Sequence, residues 1–229
     1  ALLDEMAPVA DPKDADTAIF YSISNTQKGL RGVSFGEHLI KGVVAKLSEE
    51  MPGLKTFATL SPLPRFRDWL DKQDADVIAS AFGEAEQGGL RALGGSDALD
   101  EALRAVLANP DWHQDPVTLK AIKEPILRLG TRYLLSKDKR GRPVDPVAHF
   151  HLKNGARLEH LNWLADTSEN GLRQSAGLMV NYFYLQSDIE KNHEAYLRDG
   201  TVVLGAEVKA LRRGLKNFSE SPLKRLGIG

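Results

Sequence analysis

The sequence TAIFYSIS at residues 17–24 decides the fold, because its β-branched and aromatic side chains predict a buried strand. Apolar residues recur at helical spacing from position 35 to position 47, which predicts an amphipathic helix that stops before residue 52. Residues 55–60 predict a second strand, and the sequence SPLP at residues 61–64 is expected to end it. A strand, a helix and a strand in this order predict two parallel strands joined by a right-handed crossover.

The remainder of the chain predicts more helices and a few further strands. Between residues 66 and 142 the apolar spacing is helical, with Gly-rich breaks between the segments. Aspartate followed by proline, at Asp115 and again at Asp145, predicts a helix N-terminus, because the carboxylate accepts from free N–H groups and proline suits the first turn. The other predicted elements are strands at 156–165 and 180–185 and helices at 168–179, 188–198 and 205–218. The expected fold class is therefore mixed α/β (α+β), with a mixed sheet flanked by helices and a helical insertion at 66–142.

Composition limits the possible partners and chemistry. The chain has 229 residues, of which 42% are apolar, and this suffices for one core on the usual scale of about 100–200 residues per domain. Its 30 basic and 31 acidic residues leave a formal charge of −1, so we expect neither nucleic acid nor an anionic membrane as a partner. The absence of cysteine excludes disulfides, thiolate metal sites and a cysteine nucleophile, and it fits a reducing compartment. Apolar stretches such as residues 176–180 are far shorter than the roughly 18–20 residues that span a bilayer.

The first and last residues of the sequence can be compared with known targeting motifs. The chain starts with ALLDEM, which lacks an initiator Met and has apolar residues at helical spacing, so we expect part of the protein to lie upstream. The final residues, KRLGIG, contain no peroxisomal or reticulum-retention tripeptide. We therefore expect a cytoplasmic protein.

The segment NTQKGLRGVSFG at residues 25–36 is a candidate phosphate-binding loop. Its three glycines lead into the predicted helix N-terminus, where free N–H groups and the helix dipole attract anions, and Lys28 and Arg31 add positive charge. The spacing differs from that of a P-loop or a dinucleotide fingerprint. Arg31 and Gly36 do follow the acyl-CoA pyrophosphate loop of N-acetyltransferase-type domains, Gln/Arg-x-x-Gly-x-Gly/Ala, and Ser34 replaces its first glycine. An ordinary Gly-rich turn between a strand and a helix is the alternative.

Local sequence alone gives little support for a catalytic serine or histidine. Ser61 is expected to be a turn residue at the end of its strand, and no Gly-x-Ser-x-Gly elbow surrounds it. His149 and His151 are separated by one residue in a predicted helical turn, so they point to different sides and do not form a chelating pair. Metal binding is therefore disfavoured. A single histidine in an apolar segment is more often structural than catalytic.

Two polar residues lie on or after a predicted strand that should be largely buried. Asn162 is expected either to orient a ligand or to satisfy neighbouring backbone groups. Asp166 is expected to accept hydrogen bonds at the N-terminus of the next helix, with a functional role as the alternative.

Together, six blocks of the sequence resemble the malonyl-CoA decarboxylase family. In order, the blocks are AIFYSIS at 18–24, TQKGLRGV at 26–33, LSPLPRF at 60–66, PVAHFHLKNGA at 146–156, NWLAD at 162–166 and GLMVNY at 177–182. The resemblance implies the carboxyl-terminal catalytic domain of that family, with an N-acetyltransferase-like fold. The first strands of that domain and a helical amino-terminal domain would lie upstream of Ala1, and the protein would form homodimers or homotetramers.

The resemblance also implies an activity and a set of site residues. The reaction converts malonyl-CoA to acetyl-CoA and carbon dioxide without a metal or organic cofactor. Ser61 and His151 match the catalytic serine and histidine of the family: His151 would protonate the α-carbon of the enolate, and Ser61 would hold the carboxylate or thioester by hydrogen bonding. The implied substrate-binding residues are Ser22, Asn162 and a CoA pyrophosphate loop of Arg31, Gly32, Val33, Ser34, Phe35, Gly36 and Glu37.

Two other functions remain open at this point. An acyl-CoA transferase of the same fold would use the same loop but deliver the acyl group to an amine. A regulatory module would bind CoA without turnover.

Overall fold

The structure is a computed structural model that describes residues 11–21, 35–138 and 141–215. The strands are β1 (Thr17–Phe20), β2 (Thr56–Thr59), β3 (Ser61–Pro62), β4 (Arg157–Asn162) and β5 (Met179–Tyr184). The helices are α1 (Phe35–Glu50), α2 (Phe66–Leu70), α3 (Ala75–Ala79), α4 (Glu84–Gly94), α5 (Leu99–Ala108), α6 (Pro116–Leu135), α7 (Pro146–Lys153), α8 (Glu169–Ser175), α9 (Ile189–Asp199) and α10 (Ala206–Arg213). Short 3₁₀ helices lie at Pro12–Asp14 and Trp112–Gln114.

One mixed sheet organises the molecule, with β5 at its centre. β1 pairs with β2 in parallel, as the strand, helix and strand order predicted. β2, β3 and β4 all pair with β5 in antiparallel orientation. Phe57 lies opposite Tyr184 and Ser61 opposite Val180, so β2 and β3 follow one edge of β5 in a single register, and β4 occupies the other edge. The expected class, a mixed α/β fold with helices flanking a mixed sheet, is confirmed.

Helices α2 to α6 fill the chain between β3 and α7, where the sequence predicted helical segments. Asp115 caps α6 by accepting hydrogen bonds from the N–H groups of Val117 and Thr118, and α6 continues through Pro125. The Trp112 and Trp163 rings lie 5.9 Å apart, and α6 and α10 pack on β4. The helical segment and the sheet therefore share one continuous apolar core. Within the described residues, no helix has the length and apolar character needed to cross a membrane.

The structure corrects several predicted element ends. The second strand was expected to stop at Ser61, but Ser61 and Pro62 form β3 and pair with β5. The helix predicted over 168–179 ends at Ser175, because Ala176 and Gly177 adopt left-handed backbone conformations with φ values of 49° and 74°. The strand predicted over 156–165 ends at Asn162. Residues 1–6, 22–24 and 216–218 of the predicted elements lie outside the described residues.

A pair of glycine substitutions should change stability in opposite directions. Gly155 has a φ of 82°, and a Cβ added there would overlap the carbonyl oxygen of Ile189. Gly155→Ala should therefore lower the free energy of unfolding by about 1–3 kcal/mol. Gly88 lies exposed inside α4 with open space around it, so Gly88→Ala should raise the free energy of unfolding by about 0.5–1 kcal/mol. Urea unfolding of the two variants tests this, and a destabilised Gly88→Ala variant would contradict it.

Candidate active site

The face of the sheet that carries Ser61 is set by strand alternation. Opposed residues of an antiparallel pair share a face, and residues two apart in a strand share it too. Since Ser61 lies opposite Val180 and Phe57 opposite Tyr184, the side chains of Thr59, Ser61 and Tyr184 project from one face. Tyr182 projects from the same face, which is buried along β5.

Helix α7 places His151 against this face. The helix begins where Asp145 Oδ1 accepts a hydrogen bond from the N–H of Ala148 at 2.7 Å. Tyr133 Oη donates to the other carboxylate oxygen, Oδ2, at 2.8 Å, so the carboxylate is fully buried yet paired on both sides. Burial raises the pKa of Asp145, and these hydrogen bonds partly oppose that effect. The cap fixes the start of α7 and therefore the position of His151 along it.

The His151 imidazole is 2% exposed and contacts polar groups at both ring nitrogens. Its Nε2 lies 3.2 Å from Ser61 Oγ, and its Nδ1 lies 2.8 Å from Tyr184 Oη. The ring stacks on Tyr182 with centroids 4.4 Å apart, and Phe150 packs edge-on at 5.1 Å. The sequence-predicted pair of Ser61 and His151 is therefore brought into direct contact, 90 positions apart in the chain.

Burial determines the charge of His151. Desolvation lowers the pKa of His151 to about 3, far below its ordinary value of about 6.5. The imidazole is therefore neutral at neutral pH, and its remaining ring proton sits on either Nδ1 or Nε2.

The nitrogen that carries that proton is coupled to the direction of the neighbouring hydroxyl hydrogen bonds. Ser61 Oγ donates to Thr59 Oγ1 at 3.1 Å, which uses the single hydroxyl proton of Ser61. In this direction of the network, His151 Nε2 donates to Ser61 Oγ, and Nδ1 accepts from the hydroxyl of Tyr184. Burial raises the pKa of Tyr184, so this hydroxyl keeps its proton. This direction of the hydrogen bonds corresponds to the Nε2–H tautomer of the neutral ring.

The structure places the other candidate residues less directly. Asn162 Nδ2 donates to Asn181 Oδ1 at 2.7 Å, so its amide is engaged with a neighbouring strand. The predicted loop residues Phe35, Gly36 and Glu37 form the first turn of α1. The candidates Ser22, Arg31, Gly32, Val33 and Ser34 lie outside the described residues, and their roles stay predictions.

Asp166 accepts a hydrogen bond at the start of the next helix, as expected, but from the N-cap residue and not from the first helical turn. Its Oδ1 accepts from the backbone N–H of Ser168, and Ser168 Oγ is the acceptor for the N–H of Gly171 in the first turn of α8. A serine suited to capping lay two residues downstream, and its side chain reaches the free N–H groups first.

The two histidines of α7 contact different elements, as their spacing predicted. His149 Nδ1 lies 2.7 Å from Tyr196 Oη, whereas His151 faces Ser61. Within residues 11–21, 35–138 and 141–215, no three histidine or carboxylate side chains come together in a way that would hold a metal ion.

Sequence reasoning missed Thr59, Tyr182 and Tyr184 as parts of the site. The one available signal was the alternation of MVNYFY at residues 179–184, which places Tyr182 and Tyr184 on one face. That signal does not reveal which strand lies opposite.

Comparison with known proteins identifies the family. A model of the malonyl-CoA decarboxylase C-terminal domain matches residues 1–222. The chain belongs to the malonyl-CoA decarboxylase family. The mitochondrial malonyl-CoA decarboxylase of Anser anser anser is 40% identical over 198 residues, which cover 84% of this chain and 39% of that protein. The mitochondrial malonyl-CoA decarboxylase of Rattus norvegicus is 38% identical over 199 residues, covering 85% of this chain and 40% of that protein.

Solved malonyl-CoA decarboxylases share the fold. The crystal structure from Rhodopseudomonas palustris is 46% identical with a TM-score of 0.76, and the match covers 92% of this chain and 45% of that one. The crystal structure from Agrobacterium vitis is 44% identical with a TM-score of 0.77, covering 92% of this chain and 49% of that one. The chain thus spans less than half the length of the malonyl-CoA decarboxylases that it matches.

The buried imidazole of this malonyl-CoA decarboxylase family member should make the fold sensitive to acid. In the unfolded chain, His151 binds a proton below a pH of about 6.5. In the folded chain, His151 binds a proton only when the pH nears 3. Stability contributed by His151 is therefore present at neutral pH and is lost as the pH falls, with a slope of about 1.4 kcal/mol per pH unit. Between pH 6.5 and pH 5 the loss amounts to about 2 kcal/mol.

His151→Gln should remove this part of the acid response. Urea unfolding of both proteins at several pH values between 7 and 5 measures the difference. Equal slopes in the wild type and in His151→Gln would contradict a buried neutral imidazole.

Proposed function

We propose that this chain carries the catalytic site of a malonyl-CoA decarboxylase, which converts malonyl-CoA to acetyl-CoA and carbon dioxide without a metal or organic cofactor. The observation that carries the proposal is the buried contact of 3.2 Å between Ser61 Oγ and the neutral His151 imidazole, in a chain of this family. The two residues that the resemblance implied are the two that the fold brings together.

The chemistry requires little more than a proton and hydrogen-bond donors. The C–C bond to the malonyl carboxylate breaks, carbon dioxide leaves, and the electron pair moves into the thioester to form an enolate. A proton then binds to the α-carbon and gives the acetyl thioester. The net reaction consumes one proton from solvent for each malonyl-CoA, so no oxidant or reductant is needed.

His151 is the proposed proton donor to the α-carbon. In the Nε2–H tautomer, its proton points toward Ser61, the proposed contact to the substrate. A neutral imidazole is a weak acid, but the enolate is a strong base, so Nε2 can transfer its proton to the α-carbon. The ring then regains a proton from solvent, which is the one proton that the net reaction consumes. A neutral ring also avoids an ion pair that would stabilise the substrate carboxylate before carbon dioxide leaves.

Ser61 is the proposed contact to the substrate carboxylate or thioester. Its hydroxyl exchanges the bond to Thr59 for a hydrogen bond to a substrate oxygen, where negative charge is held or develops. A covalent acyl intermediate is not part of the proposal, because enolate chemistry does not need one.

The remaining parts of the site are proposed by family resemblance. The loop of Arg31 to Glu37 would cradle the CoA pyrophosphate, and its last residues form the N-terminal turn of α1. Ser22 and Asn162 would contact the substrate or the residues around it. Residues 66–142 would be a helical insertion within one acyl-CoA-binding catalytic domain.

The setting of the protein is also a proposal. We propose a cytoplasmic homo-oligomer, a dimer or tetramer, with neither nucleic acid nor membrane as a partner. Solved relatives of bacterial origin support the cytoplasmic location, although the goose and rat relatives are named mitochondrial.

Product analysis tests the activity. The complete gene product, incubated with malonyl-CoA, should release acetyl-CoA, and both His151→Ala and Ser61→Ala should lower kcat by about 100- to 10,000-fold. His149→Ala is the matched control, because His149 lies on the same helix but contacts Tyr196, and it should keep turnover near that of the wild type.

Mass spectrometry of the reaction separates the alternatives. Free CoA in place of acetyl-CoA would indicate thioester hydrolysis, and acetyl-CoA formed at an undiminished rate by His151→Ala would remove that residue from the mechanism. If the wild type binds malonyl-CoA but does not convert it, the result would favour either an acyl-CoA transferase that lacks its amine acceptor or a CoA-binding module without turnover.

The pH dependence of decarboxylation should show that the proton donor, His151, is neutral. Since burial holds the pKa of His151 at about 3, kcat/KM should not fall through a step at the ordinary histidine pKa of about 6.5 as the pH rises. An imidazolium donor would produce that fall. Steady-state rates from pH 5.5 to pH 8.5 distinguish the two, and a loss of rate centred near 6.5 that disappears in His151→Gln would refute the neutral donor.

A further inference from the structure

Thr59 is fully buried beside Ser61 and has no place in the proposed reaction. Its hydroxyl oxygen accepts two hydrogen bonds, one from Ser61 Oγ at 3.1 Å and one from the backbone N–H of Tyr182 at 3.3 Å. A hydroxyl oxygen has two acceptor positions, and both are therefore used. The direction in which Ser61 sends its proton depends on this one neighbour.

The strand ladder is adapted to free the Thr59 hydroxyl for this contact. The pairing of β2 with β5 ends at Ala58, which lies opposite Phe183. The pairing of β3 with β5 begins at Ser61, which lies opposite Val180. Between them, the side chain of Thr59 takes the N–H of Tyr182, an N–H that would pair with a backbone carbonyl in a regular ladder. The interruption lies directly beside the proposed site.

Two asparagines hold the backbone of Thr59 in this arrangement. Asn181 Nδ2 donates to the Thr59 carbonyl oxygen at 2.7 Å, and Asn162 Nδ2 donates to Asn181 Oδ1 at 2.7 Å. A carbonyl oxygen only accepts, so the amide of Asn181 has a single orientation that satisfies both contacts. The network runs from β4 through β5 to β2 and ends at Ser61.

We propose that Thr59 is a positioning residue that directs the Ser61 hydroxyl away from His151 and so keeps the His151 proton on Nε2, with Asn181 and Asn162 holding Thr59 in place. The inference rests on the proposed function of Ser61 and His151. Ser61 has one proton to donate and two neighbours able to accept it, either Thr59 Oγ1 or His151 Nε2 without its proton. As long as Thr59 takes the proton, Nε2 must carry its own.

Removal of the Thr59 hydroxyl should reverse the direction of the network. Ser61 would then donate to His151 Nε2, and the ring proton would move to Nδ1, where it faces Tyr184. The reacting carbon would meet a nitrogen without a proton. Valine has almost the same shape as threonine, so Thr59→Val removes the hydroxyl and leaves the shape of the site almost unchanged.

The first measurement is the tautomer itself. Nitrogen-15 NMR of the imidazole in the complete gene product should find His151 as Nε2–H in the wild type and in Thr59→Ser, and as Nδ1–H in Thr59→Val. Thr56→Val is the matched control, since Thr56 lies in the same strand away from Ser61, and it should keep the Nε2–H form. An unchanged tautomer in Thr59→Val would overturn the proposal.

The second measurement is turnover of malonyl-CoA. Thr59→Val should lower kcat by about 10- to 100-fold with KM within about two-fold, as expected when orientation of a reacting group is lost. Thr59→Ser should stay within about three-fold of the wild type. In a Ser61→Ala background, Thr59→Val should cause no further loss, because Thr59 acts through Ser61. Equal losses in Thr59→Val and Thr59→Ser, or additive losses in the double variant, would contradict the inference.

The two measurements separate this inference from the proposed function. A wild type that does not decarboxylate malonyl-CoA would refute the function, while the tautomer measurement would still decide the role of Thr59. If Thr59→Val fails to fold, Thr59→Ala removes the same hydroxyl with a smaller side chain and gives the same two readouts.

Discussion

The burial of one imidazole is the constraint on which the rest of the site depends. A histidine that is almost completely removed from water stays neutral, and each of its nitrogens needs a partner, because an unpaired buried polar atom is costly. Tyr184 and Ser61 supply those partners from the sheet, and the flat face of Tyr182 supplies the apolar wall. The strand face and the helix cap place the ring, and its neutral state and its two hydrogen-bond partners follow from that placement.

Much of the fold can be predicted from periodicity that a single sequence displays. The parallel pairing of β1 and β2 across α1 is expected from a strand, a helix and a strand in succession, and the caps of α6 and α7 are expected from an aspartate before a proline. The ends of helices and strands are harder to predict, because the conformation of one or two residues determines where each element ends. Ala176, a good helix former, adopts a left-handed conformation to end α8, and Ser61 with Pro62 extends the sheet although proline usually interrupts one.

The site itself is only partly visible in the sequence. Ser61 and His151 were identified through the motifs around them, since periodicity alone favours a turn serine and a structural histidine. Thr59 has no local signal, and alternation gives only the face on which Tyr182 lies. The contact of Thr59 with Tyr182 joins strands more than a hundred positions apart and depends on which strands pair. Strand alternation shows which side chains share a face, but register comes from packing of the whole sheet.

Because α7 is short, the position of His151 depends on the number of residues between Asp145 and His151. This helix has eight residues. It begins at the buried cap Asp145 and is followed by Asn154 and by Gly155 in a left-handed conformation, so both of its ends are fixed in position. Each residue added to an α-helix rotates the downstream residues by about 100° and advances them by about 1.5 Å. A single insertion between Asp145 and His151 would swing the ring to another side of the helix, while many substitutions there would leave it in place. Homologues that diverge widely in side chains are therefore expected to keep this spacing, because a change in it would move the imidazole away from Ser61.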